Sequence, residues 1–271
     1  MPDNELRVIL VGDVVGRHAR RFVQLALPLI RRKYEPDLVI VNGENSAGGL
    51  GIIKRTAEEL FAAGADVITG GNHIWDKKEA VELLQHDERI LKPLNYPSST
   101  PGRGARACET PRGTAVMVIS LQGRVFMDPV VDNPFTVIDE FLQKNRFPAT
   151  VVDFHAEASA EKQAMGFFLD GRVSAVLGTH THVPTADSRI LPKGTAYQTD
   201  VGITGSLNSV IGMERHAVIS RFTTGMGRKF EVAKDDLVLD MAMVDIHPGS
   251  GRAVRIEALR IFESSYEQQL A

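Results

Sequence analysis

The feature that most constrains this chain is an alternation of short β-branched apolar runs with amphipathic stretches, sustained from Leu6 to Leu169. Leu6 to Val11 reads as a buried strand. After Gly12-Asp13, the apolar positions Phe22, Leu25, Ala26, Leu29 and Ile30 recur at helical spacing within Arg20 to Lys33. The same pairing returns at Leu38 to Val41 with Thr56 to Ala63, and at Val67 to Thr69 with Lys77 to Gln85. It returns again at Ala115 to Leu121 with Phe135 to Lys144, and at Ala149 to Phe154 with Ala160 to Leu169. Strands separated by helices of this length predict a layered α/β fold whose sheet is at least partly parallel. Beyond Val173 to Leu177 the pattern changes. Thr195 to Asp200, Lys229 to Ala233, Leu237 to Ile246 and Ala253 to Phe262 read as successive strands, which predicts a second, more antiparallel sheet. Asn95 to Gly113, rich in Pro, Gly, Ser and Arg and without periodicity, reads as a long loop. No repeat or linker divides the chain, so residues 1–271 are expected to form one domain.

Composition narrows the partners. With 43% hydrophobic residues the chain can bury a sizeable core, and 31 Lys+Arg against 34 Asp+Glu leave a charge of −3, too balanced to advertise a polyanion or membrane partner. Cys108 is the only cysteine, so neither an intrachain disulfide nor a cysteine-based zinc site is available, which fits a cytoplasmic protein. No apolar run approaches the roughly 18 residues a spanning helix needs.

Polar residues gather where the apolar strands stop: Asp13; Asn42, Glu44 and Asn45; Asn72 and His73; His155 and Glu157; His180 and His182. In a layered α/β fold these positions converge on one edge of a sheet. Taken singly, Asp13 would cap a helix, Asn45 and Asn72 would sit in glycine turns, and His155 would be an ordinary half-buried histidine. Five successive strand ends with the same donor chemistry instead point to a divalent metal site. Carboxylate and carboxamide oxygens mixed with imidazole nitrogens, and no thiolate, suit Mn, Fe, Co or Zn. His180 and His182, two apart in extended chain, would present both rings on one side.

The ordered blocks VGDVVGR, NGENSAGGLG, GGNHIWD, DFHAEASAEK and GTHTHVPTAD span most of the chain. Their order resembles the signature of the calcineurin-like metallophosphoesterases, and their wording resembles the YmdB-like branch, whose members are 2′,3′-cyclic-nucleotide phosphodiesterases. Two departures from the commoner superfamily pattern, Val15 where a histidine usually follows the first aspartate and Glu44 in place of a bridging aspartate, are features of that branch. The resemblance implies a two-sheet β-sandwich flanked by helices, in four αββα layers. It implies Asp13, Glu44, Asn45 and His182 around one ion and Glu44, Asn72, His155 and His180 around a second, with Glu44 bridging two divalent or mixed-valence ions, iron or manganese. These ligands bring two negative charges against four from two divalent ions, so a bridging hydroxide leaves a net positive cluster that attracts a phosphodiester. His73, outside the metal shell by the family pattern, is assigned as general acid or transition-state stabiliser.

The expected reaction is hydrolysis of a 2′,3′-cyclic nucleotide by metal-bound hydroxide. RNA ends are a further possible substrate and a homo-oligomer a possible assembly. The rival readings are a phosphomonoesterase or nuclease on the same metal pair, or a regulatory protein using the fold as an interaction surface. Asp76 or Asp153 would orient a histidine. Arg103, Arg106 and Arg112 are candidates to meet phosphate and Trp75 to stack on a base, against default readings as surface arginines and a half-buried tryptophan. Gly48 to Gly51 reads as a close backbone approach beside Glu44, and Asp200 to Gly212 as a further cavity wall. His18, His86, His216, His247 and Cys108 are given no chemical role.

Overall fold

Alternate residues of a strand face opposite ways, so a strand that is apolar throughout needs cover on both sides. The computed structural model describes residues 5–271 and supplies that cover with two stacked sheets and two outer helical layers. In chain order, β1 (Leu6–Val11) and the short β2 (Asp13–Val14) precede α1 (Gly16–Tyr34), β3 (Leu38–Asn42), α2 (Lys54–Ala63), β4 (Val67–Thr69), α3 (Glu79–His86) and β5 (Ile90–Leu91). Next come β6 (Ala105–Glu109), β7 (Ala115–Gln122), α4 (Pro134–Lys144), β8 (Ala149–His155), α5 (Ser159–Leu169), β9 (Ala175–Thr179), β10 (Arg189–Ile190) and β11 (Ala196–Gln198). The chain then runs through β12 (Ile203–Ser206), α6 (Arg215–Thr224), β13 (Leu237–Ile246), β14 (Ala253–Phe262) and α7 (Tyr266–Leu270).

The first sheet runs β2-β12-β13-β1-β3-β4-β5, with β14 also paired to β13; β1, β3, β4 and β5 are parallel. The second runs β10-β11-β9-β8-β7-β6, parallel from β11 to β7 with an antiparallel strand at each edge. Val8 and Leu10 of β1 pack with Val118, Val151 and Leu177 between the sheets. Their neighbours Ile9 and Val11 face the other way, onto Phe22, Leu27 and Leu60 of the helices outside the first sheet. Ile119, Val152 and Val176 likewise face Ile138 and Met165 of α4 and α5. This is the four-layer αββα sandwich. No helix among the described residues is long and apolar enough to cross a membrane.

Three expectations are corrected. The C-terminal strands do not build the second sheet: β13 pairs antiparallel with β1 over Met241–Ile246 and lies inside the first sheet, while β11 joins the second sheet in parallel with β9. Every residue of β13 is buried, so its apolar pattern carries no mark of which sheet it enters. Lys229 to Ala233 is not a strand and contributes one isolated bridge, Met213 to Val232. Asn95 to Gly113 is not wholly loop, because Ala105–Glu109 forms the edge strand β6; four of its five residues are at least partly exposed, which removes the burial alternation that would reveal it.

Candidate metal centre

Parallel strands within each sheet end on the same side, and the two sheets bring those ends together. Ser120 Oγ of β7 donates to the Gly70 carbonyl beyond β4 at 2.8 Å, and Asn42 Nδ2 at the end of β3 donates to Asp153 Oδ2 of β8 at 3.0 Å. Asp13, Glu44, Asn45, Asn72, His73, His155, His180 and His182 all lie at this seam.

Glu44, wholly buried, stands between two donor clusters. In one, His155 Nε2 lies 3.0 Å from Glu44 Oε1, 3.2 Å from Asn72 Oδ1 and 3.0 Å from His180 Nδ1. Glu44, His155 and His180 bring their donor atoms within 4.8 Å of one another. In the other, Asn45 Nδ2 lies 3.2 Å from Glu44 Oε1 and 3.3 Å from His182 Nε2, and His182 Nε2 lies 3.7 Å from Asp13 Oδ1. A metal bound at about 2.1 Å places neighbouring ligands about 3.0–3.4 Å apart, the spacing of these contacts. Asp13 Oδ1 and Asn45 Oδ1 are buried without a hydrogen-bond partner. Buried lone pairs are normally satisfied, so orphaned oxygens on residues that also adjoin His182 are what a cation would complete. A half-turn of the Asn45 carboxamide exchanges its nitrogen for that oxygen. The donor set therefore fits divalent metal.

The supporting contacts leave one nitrogen of each ring facing inward. His182 Nδ1 donates to the Ile211 carbonyl at 2.9 Å, and His180 Nε2 lies 3.2 Å from Glu157. His155 Nδ1 meets Thr179 Oγ1 at 2.9 Å, and that hydroxyl donates to Asp153 Oδ1 at 2.6 Å. Of the two candidate orienting carboxylates, Asp153 thus serves His155 through Thr179, while Asp76 Oδ2 meets His73 Nδ1 directly at 2.9 Å. His73 Nε2 is left for other contacts, and its backbone N–H donates to Glu44 Oε2 at 3.2 Å.

Electrostatics follow from burial. Burial would raise Asp13 and Glu44, but His182 beside Asp13 and His155 beside Glu44 hold both carboxyls below their usual values. Burial would likewise depress His155, yet the Glu44 and Asp13 carboxylates overcome it and push the imidazole up to about 9. His180, buried and set edge-on to His155 at 4.8 Å between ring centroids, is pushed down to about 3. Asp153 is raised to about 6 by burial.

His180 and His182 do not alternate along a strand as their spacing suggests. Both lie beyond β9, with φ of 102° and 63°, and they serve different clusters. Left-handed backbone at two non-glycine residues persists where its surroundings fix it. Here Asp13 Oδ2 accepts from His180 N at 3.1 Å, and Asp200 Oδ2 accepts from Thr181 N at 3.1 Å. Asp200 is itself held by buried Lys162, whose ammonium donates to it at 2.6 Å and to the Thr179 carbonyl at 2.7 Å. Sequence reasoning missed Lys162 and Thr179; a lysine within a helical pattern gives no sign of burial. It read Gly71 only as a turn glycine beside Asn72, whereas a Cβ there would stand 2.1 Å from His155 Cδ2 and 2.4 Å from Glu44 Oε2.

Other candidates fall elsewhere. Arg103 and Arg106 pair with Glu88, and Arg112 with Asp37 at 2.9 Å, ahead of β5 and β3 and so at the ends opposite the seam. Trp75 is half-buried against the outer core of the first sheet, its ring 6.2 Å from that of Tyr96. Gly49 and Gly51 are closely approached, by Val232 and Lys77 respectively. Asp200 and Ile211, through the contacts above, wall the His182 side.

A two-sheet αββα frame whose strand ends gather this donor set defines a phosphoesterase of the metallophosphoesterase type. A family model described as "YmdB-like protein" matches residues 9–259, and the chain belongs to that family. It is 45% identical over 258 residues to a 2′,3′-cyclic-nucleotide 2′-phosphodiesterase of Bacillus subtilis, covering 94% of this chain and 97% of that protein. Among solved structures, a hypothetical protein from Thermus thermophilus matches with a TM-score of 0.90 and 44% identity, over 95% of this chain and 100% of that one. A Mycoplasma pneumoniae structure titled as a novel phosphatase matches with a TM-score of 0.91 and 35% identity, over 99% of each chain.

Proposed function

We propose that the protein hydrolyses 2′,3′-cyclic nucleotides, using two transition-metal ions, iron or manganese, held by Asp13, Glu44, Asn45 and His182 and by Glu44, Asn72, His155 and His180. The observation that carries the reading is the position of Glu44, wholly buried and within 3.0 Å of His155 Nε2 and 3.2 Å of Asn45 Nδ2, shared by both donor clusters. When bound, the ions supply Lewis-acid charge for the phosphoryl oxygens and activate water. The chain's own residues do the rest. The carbonyl of Ile211 and the carboxylates of Glu157 and Asp153, the last through Thr179, fix the ring orientations of His182, His180 and His155. Asp76 fixes His73 through Nδ1, so that Nε2 protonates the departing ribose oxygen as the phosphorus–oxygen bond breaks, a contribution of about 10²–10⁴ in rate. In line with the name of the Bacillus subtilis relative, the proposed cleavage is at the 2′ ester, which leaves a 3′-monophosphate.

The test is hydrolysis of 2′,3′-cyclic AMP by chelator-stripped protein with and without added Mn²⁺, alongside linear RNA and a simple phosphomonoester. Restoration of cyclic-ester cleavage by the ion supports the reading. Bound metal with no cleavage of the cyclic ester overturns it, and turnover of only the linear RNA or the monoester transfers the site to the nuclease or phosphatase reading.

A further inference from the structure

The loop that carries Glu44 and Asn45 has a second side. Beyond Ser46 it passes through Ala47 and Gly48, which line a surface cavity of about 290 Å³ adjoining another of about 340 Å³ between α1 and α2. Arg17, Arg20 and Arg55 line both cavities, with Arg21 in one and Lys77 in the other, and Glu59 is the sole carboxylate lining either. Five cations against one carboxylate leave a local surplus of four positive charges on a chain whose net charge is −3.

Not all of that charge is spent on holding the protein together. Arg20 Nε pairs with Glu59 at 2.6 Å and its guanidinium also reaches the Ser46 carbonyl, while Arg55 shares Glu59 at 2.8 Å. Arg17, Arg21 and Lys77 have no hydrogen-bond or ion-pair partner for their side chains among the described residues. Arg17 and Arg21 are one helical turn apart on α1 and project together. Val15 caps that helix without a side-chain acceptor, so the first-turn N–H groups add positive partial charge at the same end. Lys77 follows Asp76, the residue that holds His73, and packs against Gly51 across the same loop. Residues 44–51 therefore separate the metal-ligand candidates on one side from unneutralised cations on the other.

We infer that this groove binds the phosphate backbone of an RNA strand whose 2′,3′-cyclic phosphate end lies in the site, so that oligoribonucleotides with cyclic ends are the preferred substrates. The inference rests on the proposed function for the chemistry at the end of the strand. A cyclic mononucleotide carries one phosphate, which the site takes, and has nothing to place beside Arg17, Arg21 and Lys77. A strand continuing from the 5′ side of the terminal nucleotide supplies further phosphates at regular intervals, and the free cations Arg17, Arg21 and Lys77 on the far side of the Glu44 loop offer the complementary charge.

The test compares the metal-loaded wild-type protein with the Arg17→Ala/Arg21→Ala variant, both positions being exposed and outside the metal centre. Two readouts are taken. The first is kcat/KM for 2′,3′-cyclic AMP and for a hexaribonucleotide ending in a 2′,3′-cyclic phosphate. The second is the salt dependence of binding of a fluorescein-labelled, 3′-phosphorylated hexaribonucleotide, followed by anisotropy. Three phosphate contacts give a slope of log affinity against log salt of about −2, or roughly a twenty-fold loss between 50 and 200 mM salt, and the variant flattens that slope by about 1.4. The expected result is a wild-type preference for the hexamer that the variant reduces about ten-fold, with cyclic AMP turnover unchanged. Equal kcat/KM for both substrates together with an unaltered salt slope in the variant overturns the inference. If neither cyclic ester is cleaved while anisotropy still shows an arginine-dependent slope, the groove stands and the proposed function falls.

Discussion

Substitution of Gly71 by alanine tests the geometry of the metal centre with a single methyl group. Gly71 does not have a positive φ, so alanine suits its backbone and any effect arises from what the methyl meets. It meets His155 Cδ2 at 2.1 Å, with His155 Cγ and Glu44 Oε2 each at 2.4 Å, about 1 Å or more inside ordinary contact. Neither neighbour has room to retreat. The His155 ring is fixed by Thr179 at 2.9 Å and by His180 edge-on, and Glu44 Oε2 accepts the His73 amide at 3.2 Å. Overpacking of this kind costs about 1–3 kcal/mol, and each displaced buried hydrogen bond adds about 1 kcal/mol. At about 2–4 °C per kcal/mol, a total of roughly 2–4 kcal/mol lowers Tm by about 5–15 °C. Because Glu44 is shared by both proposed ligand sets and His155 belongs to one of them, ion retention falls with stability, by about 10–100-fold in affinity. The assay is thermal melting of the chelator-stripped protein together with elemental analysis after reloading and dialysis. Gly227→Ala, where a methyl group would meet nothing within 4 Å, is the control and leaves both unchanged. A Gly71→Ala protein with wild-type Tm and a full complement of ions would refute the claim that these donors are held in place by close packing.

Three further outcomes are expected. His73→Ala lowers kcat for the cyclic ester by about 10²–10⁴ while the ion content stays at the wild-type level, and loss of the ions along with activity would instead place His73 in the metal shell. The metal-free protein loses stability as pH rises from about 7 to 9. The folded pKa of His155, about 9, is above its unfolded value near 6.5, so its contribution is complete below the lower value and disappears as pH passes the higher; melting with and without chelator measures this, and a chelated Tm that climbs across that interval contradicts it. Lys162→Met destabilises by about 3–5 kcal/mol in urea unfolding because it strands the buried Asp200 carboxylate, and adding Asp200→Asn recovers part of the loss. A double variant no more stable than the single would show that the lysine's role is not charge compensation.

The sequence discloses the seam more readily than the frame around it. Asp13, Asn42, Asn72 and His155 are visible because an apolar strand that stops at a polar residue is a local event, read within a few positions. The sheet that β13 joins is decided by pairing Met241–Ile246 with residues more than two hundred positions earlier, and no local pattern encodes that choice. Edge strand β6 escaped for the opposite reason, since Ala105–Glu109 carries no β-branched or aromatic residue and four of its five positions are at least partly exposed. At the centre, ligand types were legible but their supports were not. Lys162 lies on a helix with the spacing of a surface lysine, and Thr179 differs from any other threonine only because Asp153 and His155 meet it from β8. The left-handed conformations of His180 and His182 likewise answer to Asp13, Asp200 and Ile211, which no reading of two histidines in isolation supplies.

The position of β13 also sets when this protein becomes a protein. Leu6 pairs with Ile246 and Val11 with Met241, and the amide of Gly12, next to Asp13, donates to the Asp240 carbonyl at 3.0 Å. On the ribosome the first strand therefore emerges hundreds of residues before its neighbour. A nascent chain arrested short of residue 237 has the βα units of its N-terminal half but keeps one flank of β1 unpaired, with its backbone donors and acceptors open to any other extended chain. Closing so long a loop is slow, and it is the step that anchors the Asp13 turn. Assembly of the centre is thus tied to near-complete synthesis, and truncated products are predisposed to aggregate before they can acquire partial activity.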